Sequence, residues 1–378
     1  MSDESSGALA SGAAGSRLHR GVGLALGAAL LFGVSAPFAK LLLRGATPQL
    51  LAGLLYLGSG AGLALVWLGR RHITNEARLT RRDAPWLGGA IVFGGLLGPV
   101  LLMAGLSRTP ASSASLLLNL EGVFTAVLAW FVFHENFDRR IALGMVAIVA
   151  GGAVLSWEGR LTLGGLAGPL LVAGATLCWG IDNNLTQKVS AGDPVQIAML
   201  KGLVAGSVNT AIALAIGASW PTVPRLVGAL VLGFLSYGVS LVLFVLALRL
   251  LGTARTGAYF SSAPFVGAVV SLLVLRERPG TAFAAAAALM ALGVWLHVTE
   301  RHEHEHRHEA MEHDHAHVHD EHHRHDHGPD DPAVTDPVPH SHVHRHEPMV
   351  HAHAHYPDIH HRHGHDGASP PPGRESPH

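Results

Sequence analysis

Ten apolar runs, each near the length of a membrane crossing, constrain this chain more than any other feature. They occupy 21–43, 49–69, 86–107, 111–133, 141–157, 164–187, 194–217, 225–248, 254–275 and 280–298. About 20 residues of helix cross ~30 Å of hydrocarbon. Lipid offers no partner to an open backbone N–H or C=O, so runs of this kind cross as helices. The expectation is an all-α integral membrane protein with ten transmembrane helices. The first run, 23 residues long, exceeds a signal-peptide core and reads as a crossing. Run 141–157 is the shortest.

Residues 299–378 are of another kind. They hold 24 of the 28 histidines, 10 of the 21 prolines and 16 of the 27 acids. The part before them carries 20 Lys/Arg against 11 acids, and the tail 6 against 16, so the net charge of −1 is +9 cancelled by −10. With prolines such as Pro329, Pro332 and Pro337 and few apolar clusters, the tail is expected to be disordered. Cys178 is the single cysteine. It excludes an intramolecular disulfide and a zinc site of several thiolates, and reads as a small packed hydrophobe.

The Lys/Arg of the connections orient the chain. With the N-terminus inside, 12 fall on the cytoplasmic side, including the cluster Arg70, Arg71, Arg78, Arg81 and Arg82, against 7 outside. Both termini are therefore expected in the cytoplasm, and the membrane is expected to be the cell's inner (plasma) membrane. Glycines four apart, at Gly23/Gly27, Gly58/Gly62 and Gly94/Gly98, predict close helix packing.

The apolar part repeats itself. Gly122–Glu135 aligns with Pro264–Glu277 at an offset of 142, and Thr47-Pro48 with Asp193-Pro194 at 146. This divides the chain into an N-terminal segment 1–20, five helices in 21–157, five in 164–298, and the tail 299–378. Five is odd, so the halves would have inverted topology, a geometry suited to alternating access. A transporter is favoured over an enzyme, for which no nucleophile–base arrangement or phosphate loop stands out. The expected partner is the lipid bilayer, with no nucleic acid.

The fourth run reads Leu120-Glu121-Gly122-Val123-Phe124 and ends in His134-Glu135; the ninth run holds Pro264 and ends in Glu277. These features resemble the EamA family of the drug/metabolite transporter superfamily over about 21–298, with each half as one EamA-like repeat. Two departures stand out: Gly122 replaces the family's proline, and Ala263 replaces the second copy's glutamate. The resemblance implies an exporter, of a superfamily that moves amino acids, metabolites, drugs and other solutes.

Polar residues within apolar runs are the candidate cargo path. Glu121 stands near the middle of the fourth run, where an ionised carboxylate costs at least ~2.5–3.5 kcal/mol without a partner or cavity. Asn119 lies two residues before it. Asp182, Asn183 and Asn184 interrupt the sixth run, where the first half has Ser35, Ala36 and Pro37. These oxygens suggest a cation site formed by Asp182, one asparagine and Glu121, with Asn209, Met103, Met199 and His134 as possible additions. Lys201, seven residues into the seventh run, argues against a purely cationic path.

The tail supplies the densest set of candidate metal ligands. Histidine alternates with other residues in His302, His304, His306 and His308, in His313, His315, His317 and His319, in His340, His342, His344 and His346, and in His351, His353 and His355. It clusters at His322, His323, His325 and His327, and at His360, His361, His363 and His365. Neutral imidazole is a common ligand of nickel, cobalt, zinc and copper. The expected function is proton-coupled efflux of a divalent transition metal, nickel or cobalt before zinc, with the tail binding the ion. No cofactor is required. The alternative is an exporter of amino acids or other organic solutes whose tail only buffers or senses metal.

Overall fold

The computed structural model describes residues 19–70, 79–133, 139–156, 163–189, 192–251, 253–298, 303–308, 311–317, 340–346 and 349–354. Up to residue 298 the described structure is helical. In chain order the helices are α1 (19–33), α2 (Ser35–Leu42), α3 (Pro48–Arg70), α4 (Ala84–Ala90), α5 (Gly98–Arg108), α6 (Ala111–Leu117), α7 (Leu120–Phe133) and α8 (Arg139–Ser156). There follow α9 (Leu163–Gln187), α10 (Pro194–Ala215), α11 (Val223–Gly233), α12 (Ser240–Leu251), α13 (Thr253–Phe260), α14 (Ala263–Leu275) and α15 (Thr281–Val298).

Among the described residues seven helical stretches are long and apolar enough to cross a membrane: His19–Leu42, Pro48–Gly69, Ala84–Arg108, Ala111–Leu128, Gly165–Thr186, Pro194–Ala215 and Val223–Ala247. Shorter apolar helices, Ala142–Ser156, Ala263–Leu275 and Thr281–Leu296, occupy the fifth, ninth and tenth runs. Several stretches are interrupted. A turn at Val34 separates α1 from α2, and turns at 118–119 and 261–262 separate α6 from α7 and α13 from α14. A π-helical turn, Ile91–Leu97, joins α4 to α5, and a second, Phe234–Val239, joins α11 to α12. Such turns carry one extra residue and disturb the carbonyl ladder, and they recur at functional sites.

Helix α3 packs along α10, α8 along α15, α5 and α7 against α9, and α14 against α6. Small residues make this possible without large interdigitating side chains. A Cβ on Gly202 would lie 2.6 Å from the backbone N of Gly60, so α3 and α10 meet backbone to backbone. The predicted packing at Gly58/Gly62 is present, since Cβ atoms there would fall 2.2 Å from Leu230 O and 2.0 Å from Phe234 Cδ2. Gly23 and Gly27 do not behave this way: nothing lies within 4 Å of the first, and the second would make only an ordinary 3.5 Å contact with Leu243.

Within the tail the described residues form four strands. β1 (Glu303–His308) pairs antiparallel with β4 (Met349–Ala354), and β2 (Met311–His317) with β3 (His340–His346). The reason lies in the alternation itself: a period of two is the period of a strand. The register sets His304 opposite His353, His306 opposite His351, and His313, His315 and His317 opposite His344, His342 and His340. The clusters at 322–327 and 360–365, with His302, His319 and His355, lie outside the described residues, as do His134 and Glu135.

Candidate functional site

The site begins at the break in the fourth apolar stretch. Leu118 and Asn119 leave the helix, and α7 restarts so that Glu121 falls in its first turn. A half-helix N-terminus presents free N–H groups and a positive dipole end, which favours a carboxylate there. Asn119 is buried, and its Nδ2 donates to Leu116 O at 2.9 Å. It closes the end of its own half-helix and makes no bond to Glu121.

Across from Glu121 runs α9. A Cβ on Gly180 would lie 3.0 Å from Phe124 Cβ and from Thr125 N, so the missing side chain lets α7 and α9 meet. One turn further, Asn183 Nδ2 donates to Glu121 Oε1 at 2.9 Å and to Thr125 Oγ1 at 3.1 Å. Asn184 Nδ2 donates to Gly180 O at 2.8 Å and to Thr125 O at 3.3 Å. Both asparagines thus serve the α7–α9 contact.

Asp182 points elsewhere, because successive helical residues are turned by about 100°. Lys201 Nζ on α10 donates to its Oδ1 at 2.6 Å and to Oδ2 at 2.7 Å, and Thr186 Oγ1 donates to Oδ1 at 2.8 Å. The side chains are 10% and 16% exposed for Asp182 and Lys201, so this is a largely desolvated ion pair. It rests on the first π-helical turn: a Cβ on Gly94 would lie 1.9 Å from Asp182 Oδ2. Gly94 O accepts from Tyr56 Oη at 2.8 Å and from Trp179 Nε1 at 3.0 Å. The next carbonyls, Gly95 O and Leu96 O, accept from Asn209 Nδ2 at 3.2 and 3.3 Å, and Asn209 Oδ1 accepts from Gln49 Nε2 at 2.8 Å. Side-chain donors satisfy carbonyls at the irregular turn, as hydrocarbon requires.

Aromatic rings continue from Tyr56. Tyr56 and Tyr237 have ring centroids 5.6 Å apart, Tyr237 and Phe32 5.9 Å, and Phe32 and Phe260 5.5 Å. The second π-helical turn supplies Tyr237. This row of rings reaches the ion pair through Gly94, whose carbonyl bonds the Tyr56 hydroxyl and against which Asp182 Oδ2 rests.

The cation site expected from sequence is divided here. Glu121 and Asn183 are joined, while Asp182 is held by Lys201. Met103 and Met199 lie in apolar clusters and Asn209 serves backbone. Among the described residues no three His, Cys, Asp or Glu side chains group to hold a metal ion. The sequence expectation missed the pairing of Lys201 with Asp182, and it missed Tyr56, Thr186 and the carbonyl of Gly94.

The EamA-like transporter family matches residues 19–157 and again 166–299. An uncharacterized transporter of Methanothermobacter thermautotrophicus is 30% identical over 266 residues, 66% of this chain and 78% of that protein. The uncharacterized transporter YvbV of Bacillus subtilis is 26% identical over 264 residues, covering 66% and 81%. A probable 4-amino-4-deoxy-L-arabinose-phosphoundecaprenol flippase subunit, ArnE of Erwinia tasmaniensis, is 35% identical over 72 residues, 18% of this chain and 64% of that protein. A solved crystal structure, 18% identical, superposes with a TM-score of 0.55 over 73% of this chain and 94% of that one, a likeness of fold. Two matches to one family, together spanning most of the helical part, settle the assignment: this chain belongs to the EamA-like transporter family.

Proposed function

We propose that this chain exports a small organic solute bearing both a cationic and an anionic group, such as an amino acid, by alternating access through ten crossings. The crossings form two inverted halves, 21–157 and 164–298, with both termini in the cytoplasm and the chain in the inner membrane. Recurrence supports this: the halves each match the family, each has a π-helical turn in its third crossing, and each has a broken fourth crossing.

The carrying observation is the grip of Lys201 on both oxygens of Asp182. A buried charge left alone costs several kcal/mol, so cargo must replace what it displaces. A zwitterion does so atom for atom: its carboxylate takes Lys201, and its ammonium takes Asp182 or Glu121. A dication would have to expel the ammonium and leave it unpaired. The cargo in the name of the ArnE relative, an amino sugar joined to phosphate, likewise pairs an amine with an anion.

A second reading keeps the metal as cargo, and one observation favours it: 24 histidines in the last 80 residues. The tail would bind nickel, cobalt or zinc near the pore. Asp182 and Glu121 would pass the ion, with Asn183, Asn184 and Asn119 nearby, and a proton at Glu121 would exchange for it.

Flux into proteoliposomes decides between them. Labelled amino acids and radioactive nickel, cobalt and zinc are offered to the full-length protein and to Lys201→Met. Amino-acid movement that Lys201→Met abolishes is expected. Metal movement alone would overturn the organic-cargo reading.

A further inference from the structure

The two ends of the broken fourth and ninth crossings differ. At one end α6 and α14 pack together and close on residue 33 of α1. A Cβ on Gly267 would lie 2.6 Å from Gly33 O and 2.8 Å from Ser115 Oγ, so no passage remains between them. Ser115 is fully buried. At the other end stand α7 and α13, the counterparts of α14 and α6 at an offset of about 142 residues. Among the described residues they share no comparable packing: α7 lies on α9 and α8, and α13 on α12 and α15.

One side chain ties the closed end across the halves. Beyond α14, Arg276 turns the chain into the left-handed region at φ 54°, and Glu277 follows. Glu277 Oε1 accepts from Ala111 N at 2.7 Å; Oε2 accepts from Ser112 N at 2.9 Å and from Ser112 Oγ at 2.6 Å. Three donors at the start of α6 thus converge on one carboxylate from the other half. Lys40 holds the same connection from within its own half, donating to Leu106 O and to Thr109 O.

We infer that this structure is the carrier closed at the end bearing Glu277, the outer side in the orientation proposed above, and that Glu277 is the latch of that closure. The latch holds whatever the cargo. Opening that end requires α6 and α14 to part, and the three bonds to Glu277 break as they do. A glutamine cannot replace it, because its amide NH2 would face backbone N–H donors.

The test uses the single native cysteine to advantage. In the full chain with Cys178→Ala, Ser115→Cys reports on the closed end to a membrane-impermeant maleimide, presented separately to each face of oriented vesicles. With Glu277 present, labelling is slow. Glu277→Gln should raise its rate about tenfold or more, the response to ~1.4 kcal/mol taken from the closed state, and Ser112→Ala should raise it less. Because both faces are probed, an inverted orientation appears as labelling from the other face and leaves the latch standing. Should Ser115→Cys fail to fold, spin labels at Ser107 and Arg278 read the same opening as a lengthened distance in Glu277→Gln. Labelling and distance both unchanged by Glu277→Gln would overturn the inference.

Discussion

Replacing Lys201 by methionine removes the ammonium but keeps most of the aliphatic stem. Asp182, whose side chain is 10% exposed, then loses the bonds at 2.6 and 2.7 Å and retains only the Thr186 hydroxyl at 2.8 Å. Breaking a buried pair by removing one partner costs about 3–5 kcal/mol, because the remaining charge stays desolvated. Removing both charges is a different perturbation. In Asp182→Asn/Lys201→Met the amide is isosteric, still accepts from Thr186 and fits above Gly94, so the double variant should fall within about 1 kcal/mol of the parent. Equilibrium unfolding in mixed micelles measures all four corners of the cycle, and flux is measured on the same preparations. The expected pattern is two unstable single variants, one stable double variant, and no flux in any of the three. Additive stabilities, or a Lys201→Met protein as stable as the parent, would refute the claim that this pair is a desolvated unit.

Gly94→Ala should abolish flux and cost about 1–3 kcal/mol, since its Cβ would lie 1.9 Å from Asp182 Oδ2; Gly23→Ala, with nothing within 4 Å, is the control expected to leave flux and thermal melting intact. Glu121→Gln keeps an oxygen for Asn183, so melting should shift by less than about 1 kcal/mol while flux falls at least ~tenfold. Deleting 299–378 should remove most nickel and zinc binding in equilibrium dialysis. In the full chain that binding should be present above pH ~6.5 and decline as protons take the imidazoles below it, with amino-acid flux unaffected by the deletion.

How far the sequence could go depends on the kind of interaction. Apolar runs report the helices because each lipid-facing residue contributes separately to the pattern. The repeat offsets likewise place the breaks at 118–119 and 261–262 in matching positions. Pairing across helices is harder, yet one signal was there. Asp182 lies five residues before the end of its run and Lys201 seven after the start of the next, so a hairpin sets two isolated opposite charges at similar depth. The π-helical turns had no such signal: Ile91–Leu97 reads as ordinary apolar helix, and its role emerges only when Tyr56, Trp179 and Asn209 meet its carbonyls. Short polar side chains such as Asn119 are ambiguous for a related reason. They bond their own backbone as readily as a ligand.

The contacts of the site fall into two classes once assigned to halves, and the classes predict different behaviour. Asp182 and Lys201 both lie in the second matched stretch, on consecutive helices, so the rocking proposed above would leave their bond unchanged. Glu121 belongs to the first matched stretch and Asn183 to the second, and that bond, like the bonds of Glu277 to Ala111 and Ser112, joins the two, across the boundary that would move in the proposed mechanism. On the proposed mechanism the ion pair would act as a neutral fixture that travels with its half, available to cargo in either orientation. On that mechanism the Glu121–Asn183 bond would register the orientation, since parting the halves would strip the carboxylate of its amide donor. Cargo amine or a proton can then take the vacated acceptor, and by doing so lowers the cost of the state in which the halves have parted. On this argument the energetic coupling between cargo and motion resides at Glu121, and Asp182 with Lys201 sets which cargo is admitted.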